Sequence, residues 1–466
     1  MEALSGGWQT SGSLESRFFV DDGIWKDAPL LTGQTSFEPL PDVKNILVTG
    51  GEGFIASWLV RHLVVKYSDA YNVVCFDKLD YCSSLNNARM LEGRPNFKFF
   101  HGELTKPSDV LRCLRKYNVD TIFHLAAQSH VDLSFGNSYS FTVNNVVGTH
   151  VLLETAVAVK TVKRFYHIST DEVYGEVAMD AADLTEHSIL APTNPYAASK
   201  AAAEMYVRAY VQSFQLPVVM IRLNNVYGPH QKVEVIPKFI NLLQRGKPLW
   251  IHGDGQNTRR YLYAGDAADA FDTILHKGEI GQIYNVDSRD EISNLGLADR
   301  LLRRFGVSDK QNTIQHTRDR PFNDMRYAVD GTKLRKLGWS QKVSFEEGLT
   351  NTVAWYGKFS GWWGNIENIL APFPEVKHDR NGDIAVEDGL RAEVAHLQQT
   401  VQLLQEKQKT QTSSTPQANV GAQIYDPVAA GQPKKLNGGN ANAPNGHLQQ
   451  SNGGVRKRKA DALDEE

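Results

Sequence analysis

The residues best suited to chemistry lie close together: Thr170, Asp171 and Glu172 in the run Ser169-Thr170-Asp171-Glu172-Val173-Tyr174-Gly175, and Tyr196 with Lys200 in Asn194-Pro195-Tyr196-Ala197-Ala198-Ser199-Lys200. A tyrosine and a lysine at this spacing share one face of a helix. A free phenol titrates near 10, too high for a base at neutral pH. An ammonium about 4 Å away contributes roughly 4 kcal/mol at an effective dielectric of about 20, or about three pKa units. That brings the phenolate near pH 7, where general-base efficiency peaks. Thr170 can hydrogen-bond the substrate hydroxyl that Tyr196 deprotonates. Adjacent carboxylates on a strand or turn point in different directions and can serve two positions on one substrate. Elimination of water needs such a pair, a base for a C–H proton and an acid for the departing hydroxyl. Their environments must keep one carboxyl protonated and the other ionised. Alone, each feature has a plainer reading: a Tyr and a Lys on an ordinary helix surface, and an acidic pair capping a solvated turn.

The elements around these residues give them a common place. Arg164-Phe165-Tyr166-His167-Ile168-Ser169 is short and apolar and reads as a buried strand, so the acidic cluster sits at its carboxyl end. Open parallel α/β sheets bind ligands there. Upstream, the apolar run Asn45–Thr49 leads into Gly50-Gly51-Glu52-Gly53-Phe54-Ile55-Ala56 and then an amphipathic helix with Leu59, Val60, Leu63 and Val64. Strand, glycine turn and helix form the context in which a pyrophosphate meets a helix N-terminus. Asp77 ends the next strand, Asn72–Asp77, where an acid binds a ribose and repels a 2′-phosphate. NAD is therefore expected rather than NADP. Further strands recur at 97–100, 121–125 and 217–223, with helical stretches near 107–117, 140–159 and 195–214. The alternation predicts an α/β, Rossmann-type doubly wound parallel sheet over 43–223. Beyond Asn224 it breaks into loops and short strands, which predicts a smaller substrate-binding cap over 224–371, with Tyr284-Asn285-Val286 returning to the sheet.

Composition narrows the partners. A net charge of −3 over 466 residues gives no reason to expect nucleic acid or a membrane surface. No apolar run approaches the ~18 residues of a membrane helix, and no secretory signal is evident. The three cysteines, Cys75, Cys82 and Cys113, follow no metal or paired spacing, so no metal site and a cytoplasmic, reduced state are expected. Residues 1–42 read as a mostly disordered arm, although Trp8, Phe18, Phe19 and Trp25 suggest that some of it docks. A linker and short helix are expected over 372–408, with Val386, Leu390, Val394, Leu397, Val401 and Leu404 in a 4-3 spacing that could pair as a coiled coil. The tail 409–466 reads as disordered, with Arg456-Lys457-Arg458-Lys459 a nuclear address or, the favoured reading, a solvated charge run.

Together these motifs resemble the extended short-chain dehydrogenase/reductase family, and within it the nucleotide-sugar 4,6-dehydratases, over about residues 43–364. The resemblance rests on Thr49–Ile55, His124–Asp132, Asn145–Thr149, Ser169–Gly175, Tyr196 with Lys200, and Asn224–Pro229. Sister 4-epimerases usually lack the Asp171-Glu172 pair. Phe76–Ser83, His276–Gly281 and Arg320–Asp324 are more similar to UDP-glucose dehydratases of rhamnose synthesis than to bacterial dTDP-glucose enzymes. The resemblance implies a catalytic set of Thr170, Asp171, Glu172, Tyr196 and Lys200. It implies an NAD site of Gly50, Gly53, Phe54, Ile55, Asp77, Glu103, Leu125, Ala126 and Ala127 with Tyr196 and Lys200, and substrate contacts from Ser129, Asn225, Arg259 and Arg320. It further implies oxidation at C4, loss of water across C5 and C6 with Glu172 as base and Asp171 as acid, return of hydride to C6, and a homodimer. Two departures stand out. Glu103 replaces the family's Asp after the third strand, and Gln231–Pro237 is one residue shorter than the family's Gln-Phe-Pro-Glu-Lys-x-Ile-Pro, so its contacts are not carried over. Arg260 also stands where other members carry an acid. The competing expectations are a dTDP-glucose dehydratase, a nucleotide-sugar 4-epimerase, and a non-catalytic NAD-binding scaffold assembling through 386–404.

Overall fold

Continuous β-branched and aromatic runs suit strands covered on both faces, and the central seven-stranded parallel sheet is made of them. The computed structural model describes residues 23–364 and 366–370. Its first half runs β1 (Asn45–Thr49), α1 (Phe54–Lys66), β2 (Asn72–Asp77), β3 (Phe97–His101), α2 (Pro107–Lys116), β4 (Thr121–His124), α3 (Gly148–Val159), β5 (Arg164–Thr170), α4 (Pro195–Phe214) and β6 (Val218–Leu223). The longer elements that follow are β7 (Asn225–Tyr227), α5 (Val235–Gln244), β8 (Leu249–His252), β9 (Thr258–Tyr263), α6 (Ala264–Lys277), β10 (Ile283–Val286), β11 (Glu291–Ser293) and β12 (Ile314–Thr317). The strand order is β3-β2-β1-β4-β5-β6-β10, so the order in which strands are added reverses between β1 and β4 while all stay parallel. A crevice opens beyond the strand ends at such a reversal.

Helices cover both faces of this doubly wound sheet. Leu59 and Leu63 of α1 pack with Phe271 and Ile274 of α6 on one side, while Leu114, Leu152 and Val207 from α2, α3 and α4 fill the other. A buried ion pair joins α4 to the sheet: Arg222 donates to Glu204 at 3.0 and 2.6 Å. The cap adds a three-stranded sheet, β11-β9-β7, and a two-stranded one, β12-β8. Its β10 returns to the main sheet beside β6.

The helical segment expected near 140–159 runs from Ser138 to Val159, after a separate short helix at Val131–Gly136, and Thr142–Val147 within it is a π-helical turn. Such turns often mark functional positions. Here the turn aims Asn145 at the Gln128 backbone and at Ser199 of α4 (2.8 Å).

The expectation of a mostly disordered arm is corrected over residues 23–42, which dock on α1 and α6. The backbone N–H groups of Gln34 and Thr35 donate to Asp269 Oδ1 at 2.6 and 2.8 Å, and the Thr35 hydroxyl donates to Asp272 at 2.7 Å. Asp272 also accepts from Tyr67 and pairs with His62 and His276, all buried. Polar partners from α1 and α6 hold the arm, which is why hydrophobic periodicity gave no sign of it. The expected helix at 386–404, the tail 409–466 and the aromatics Trp8, Phe18 and Phe19 lie outside the described residues. Among the described residues no helix is long and apolar enough to cross a membrane.

Candidate active site

The turn after β1 owes its shape to glycine. Gly50 has φ +69°, and a Cβ there would stand 2.9 Å from the Ala126 backbone, so only glycine fits without strain. Gly53 is the N-cap of α1, and it lines the cavity there with Phe54 and Ile55. Asp77, at the end of β2, accepts from the backbone N–H of Glu52 (3.0 Å) and Leu79 (2.7 Å), which fixes its carboxylate at the cavity wall. Glu52, inside the glycine turn itself, is fully buried; burial and the neighbouring Asp77 charge push its carboxyl well up. A protonated Glu52 sets no negative charge against a pyrophosphate.

A cavity of about 280 Å³ runs from this turn to the end of β5. Gly50, Gly53, Phe54, Ile55, Asp77, Leu125, Ala126, Ala127 and Ser129 line it, together with Thr170, Asp171, Glu172, Tyr196 and Lys200. A glycine cradle, a strand-end acid and a hydroxyl-lined far end fit a dinucleotide. Glu103 is not among these walls, although its neighbours Gly102 and Leu104 are. Its carboxylate pairs with Lys106 at 2.8 Å, three residues on in the same turn.

A second cavity of about 440 Å³ adjoins the first on the cap side. Glu172, Asn225, Lys232 and Glu234 line both. Arg259 and Arg320 are walls of the second. Arg320 pairs with Asp132 at 2.6 Å, and the Arg259 guanidinium lies 4.5 Å over the Tyr327 ring. The shortened segment 231–237 also has a place. Lys232 donates to the Tyr81 carbonyl at 2.6 Å, and Glu234 stands at φ +92°, in backbone space that a side chain rarely occupies. Such strain costs about 1–3 kcal/mol and tends to cluster at functional sites.

The catalytic candidates converge between the cavities. Asp171 and Glu172 form a short 3-10 turn after β5, capped by Thr170, whose hydroxyl accepts from Glu172 N. They are only 2% and 7% exposed, so this is no solvated turn. The two side chains do diverge. Asp171 Oδ2 accepts from Asn224 at 2.6 Å, at the end of β6, and Glu172 Oε2 accepts from Asn194 at 3.0 Å. Asn194 therefore does two jobs, since its Oδ1 also caps α4 by accepting from Ala197 N at 2.8 Å. Burial raises both acids, Asp171 to about 6 and Glu172 to about 7, the latter pushed further by the Asp171 charge. Near neutral pH both acids are thus shifted toward the protonated form, Glu172 more than Asp171.

The Tyr196–Lys200 pair differs from the sequence argument in one respect. Both side chains line the cavity and are buried. Lys200 Nζ, however, donates to the Ile168 carbonyl at 2.7 Å, and burial lowers its pKa to about 8. Burial and the Glu172 charge push the Tyr196 phenol well above its ordinary value, with Thr170 acting the other way. The resting phenol keeps its proton.

Sequence reasoning missed Asn194, Asn224, Asp324 and Tyr327. The first two adjoin motif residues, so a search for amide donors beside the acids would have found them. Asp324 and Tyr327 lie more than a hundred residues from Glu172 in sequence, with no spacing to betray them.

Comparison with known proteins agrees with this geometry. Residues 47–352 match the family model described as GDP-mannose 4,6 dehydratase. Over 345 residues the chain is 50% identical to an Arabidopsis thaliana trifunctional UDP-glucose 4,6-dehydratase/UDP-4-keto-6-deoxy-D-glucose 3,5-epimerase/UDP-4-keto-L-rhamnose-reductase, covering 73% of this chain and 52% of that protein. The chain thus spans about half the length of that relative. It is 46% identical to the mouse dTDP-D-glucose 4,6-dehydratase over 71% of this chain and 94% of the other. Among solved structures, a Streptomyces venezuelae dTDP-glucose 4,6-dehydratase crystallised with NAD superposes with a TM-score of 0.66 at 38% identity, covering 69% of this chain and 99% of that one.

Proposed function

The chain belongs to the GDP-mannose 4,6 dehydratase family, and from that premise we propose that it dehydrates UDP-glucose to UDP-4-keto-6-deoxyglucose with NAD as cofactor. One observation carries the reading: Asp171 and Glu172, adjacent and buried, turn to different partners in the same cavity as Tyr196, and burial raises both toward neutral pH. A plain dehydrogenase or 4-epimerase has no use for such a pair. When bound, NAD+ supplies the hydride acceptor and donor and brings a positive charge that favours the phenolate.

The protein's own groups then divide the work. Tyr196 Oη takes the C4 hydroxyl proton while Thr170 Oγ1 orients that hydroxyl. The 4-ketone acidifies C5, and Glu172 takes the C5 proton as Asp171 protonates the departing C6 oxygen, roles that require the proton to pass from Glu172, the higher of the two acids at rest, to Asp171 before elimination. Arg259 and Arg320 hold the diphosphate with bidentate guanidinium chemistry. Asn225 and Ser129 line the hexose end. The greater identity to the plant protein supports UDP over dTDP. A dTDP-glucose dehydratase is the second reading, favoured by the similarity to the mouse and Streptomyces enzymes. Exposed Val147, Met205, Tyr206 and Phe214 in and beside α3 and α4 support a homodimer through those helices. The three cysteines are unpaired, which supports a reducing, cytoplasmic setting.

The test is to incubate the protein with UDP-glucose and dTDP-glucose side by side and weigh the products. Loss of about 18 mass units marks dehydration, and a preference for UDP-glucose completes the assignment. An unchanged mass with both substrates would overturn it.

A further inference from the structure

Thr193 and Asn194, adjacent at the entry to α4, each hold a carboxylate from a different element. Thr193 Oγ1 donates to Asp324 at 2.8 and 2.7 Å, and Asn194 Nδ2 donates to Glu172 at 3.0 Å. The Tyr327 phenol stands between the two acids, with its oxygen 3.4 Å from Glu172 Oε2 and in a short hydrogen bond to Asp324 Oδ2. Asp324 and Tyr327 are 2% and 3% exposed, and both line the substrate-side cavity. Arg259 closes the group, stacked on the phenol ring and donating to the Asp324 carbonyl at 2.9 Å.

A phenol has one proton to give. The distances assign it to Asp324, so Glu172 keeps only the Asn194 amide as a strong donor. We infer that Asp324 and Tyr327 are a positioning pair that sets the strength of Glu172 as the C5 base; this rests on the reaction proposed above. The charged and titratable groups facing Glu172 are Asp171 from its own turn, Tyr196 from α4, Arg259 from β9, and Asp324 with Tyr327 from the segment before residue 328. Asp171 and Asp324 favour the protonated acid, whereas Arg259 and the Asn194 amide favour the carboxylate. Asp324 thus makes Glu172 a stronger proton acceptor. Tyr327 tempers that effect by donating its one proton to Asp324. Because Arg259 touches the same phenol, the residue expected to grip the nucleotide also braces the base.

The assignment predicts opposite shifts for two variants, read from kcat against pH and from the isotope effect with C5-deuterated nucleotide-glucose. The position of the acid limb and the isotope effect do not depend on the fraction of protein folded. In Asp324→Asn the Glu172 proton affinity falls: the acid limb moves down by about one pH unit, the plateau drops about ten-fold, and the isotope effect grows. In Tyr327→Phe the Asp324 carboxylate loses its phenol donor and its charge bears on Glu172 undiminished, which disfavours the Glu172 carboxylate, so the acid limb moves up. KM stays within about two-fold in each, because neither side chain is assigned to the nucleotide. Acid limbs and isotope effects equal to wild type in both variants would overturn the assignment and leave the dehydratase reading intact. A wild-type protein that dehydrates no nucleotide-linked glucose would overturn that reading, and this assignment with it.

Discussion

Replacing Glu172 by glutamine separates chemistry from folding. The amide oxygen can still accept from Asn194, now 3.0 Å from the carboxylate, so the side chain has reason to stay in place. What disappears is the base. Loss of a positioned general base costs about 10²–10⁴ in rate, or about 3–5 kcal/mol of barrier. Oxidation at C4 needs Tyr196 and not Glu172, so reduced nicotinamide should accumulate on mixing while no dehydrated product forms. Stability should move the other way. Burial raises the Glu172 pKa from an ordinary 4.5 to about 7, so the wild type loses stability as pH climbs through that window and carries the full penalty above it. A neutral glutamine avoids the penalty. At about pH 8 the variant should be more stable by up to a few kcal/mol, and below about pH 4.5 the two proteins should melt alike. Stopped-flow absorbance, product mass and thermal melts at both pH values read all of this. Wild-type turnover by Glu172→Gln, or a lower melting point at about pH 8, would refute the reasoning.

Other substitutions probe other links. Tyr196→Phe removes the acceptor of the first proton, so no reduced nicotinamide should build up and product formation should fall by about 10²–10⁴, a pattern distinct from Glu172→Gln. Gly50→Ala puts a Cβ 2.9 Å from the Ala126 backbone at a positive φ. It should lower NAD affinity by at least about ten-fold, measured by calorimetric titration, with a lower melting temperature. Glu204→Leu strands buried Arg222 and should cost about 3–5 kcal/mol in a urea melt, with KM unchanged in the fraction that remains folded.

Local pattern carried much of this protein's architecture. Strand runs such as Ile46–Val48 and Val218–Ile221 are continuously apolar because both faces are covered, and that reads directly as a buried parallel strand. Gly50 was legible because a turn at positive φ tolerates little else, and the Asp171-Glu172 doublet because two adjacent acids after an apolar strand need a purpose. Tertiary structure decided the rest. Glu103 turned to Lys106 because the nearest ammonium was three residues away. Residues 23–42 docked through side chains of α1 and α6 more than two hundred positions apart at their extremes. Tyr327 came to stand between Asp324 and Glu172 only because the cap folds back over the end of β5. Periodicity records which face of an element is buried. It holds no record of which distant side chain meets that face, and proton affinity in a dry site depends on those neighbours.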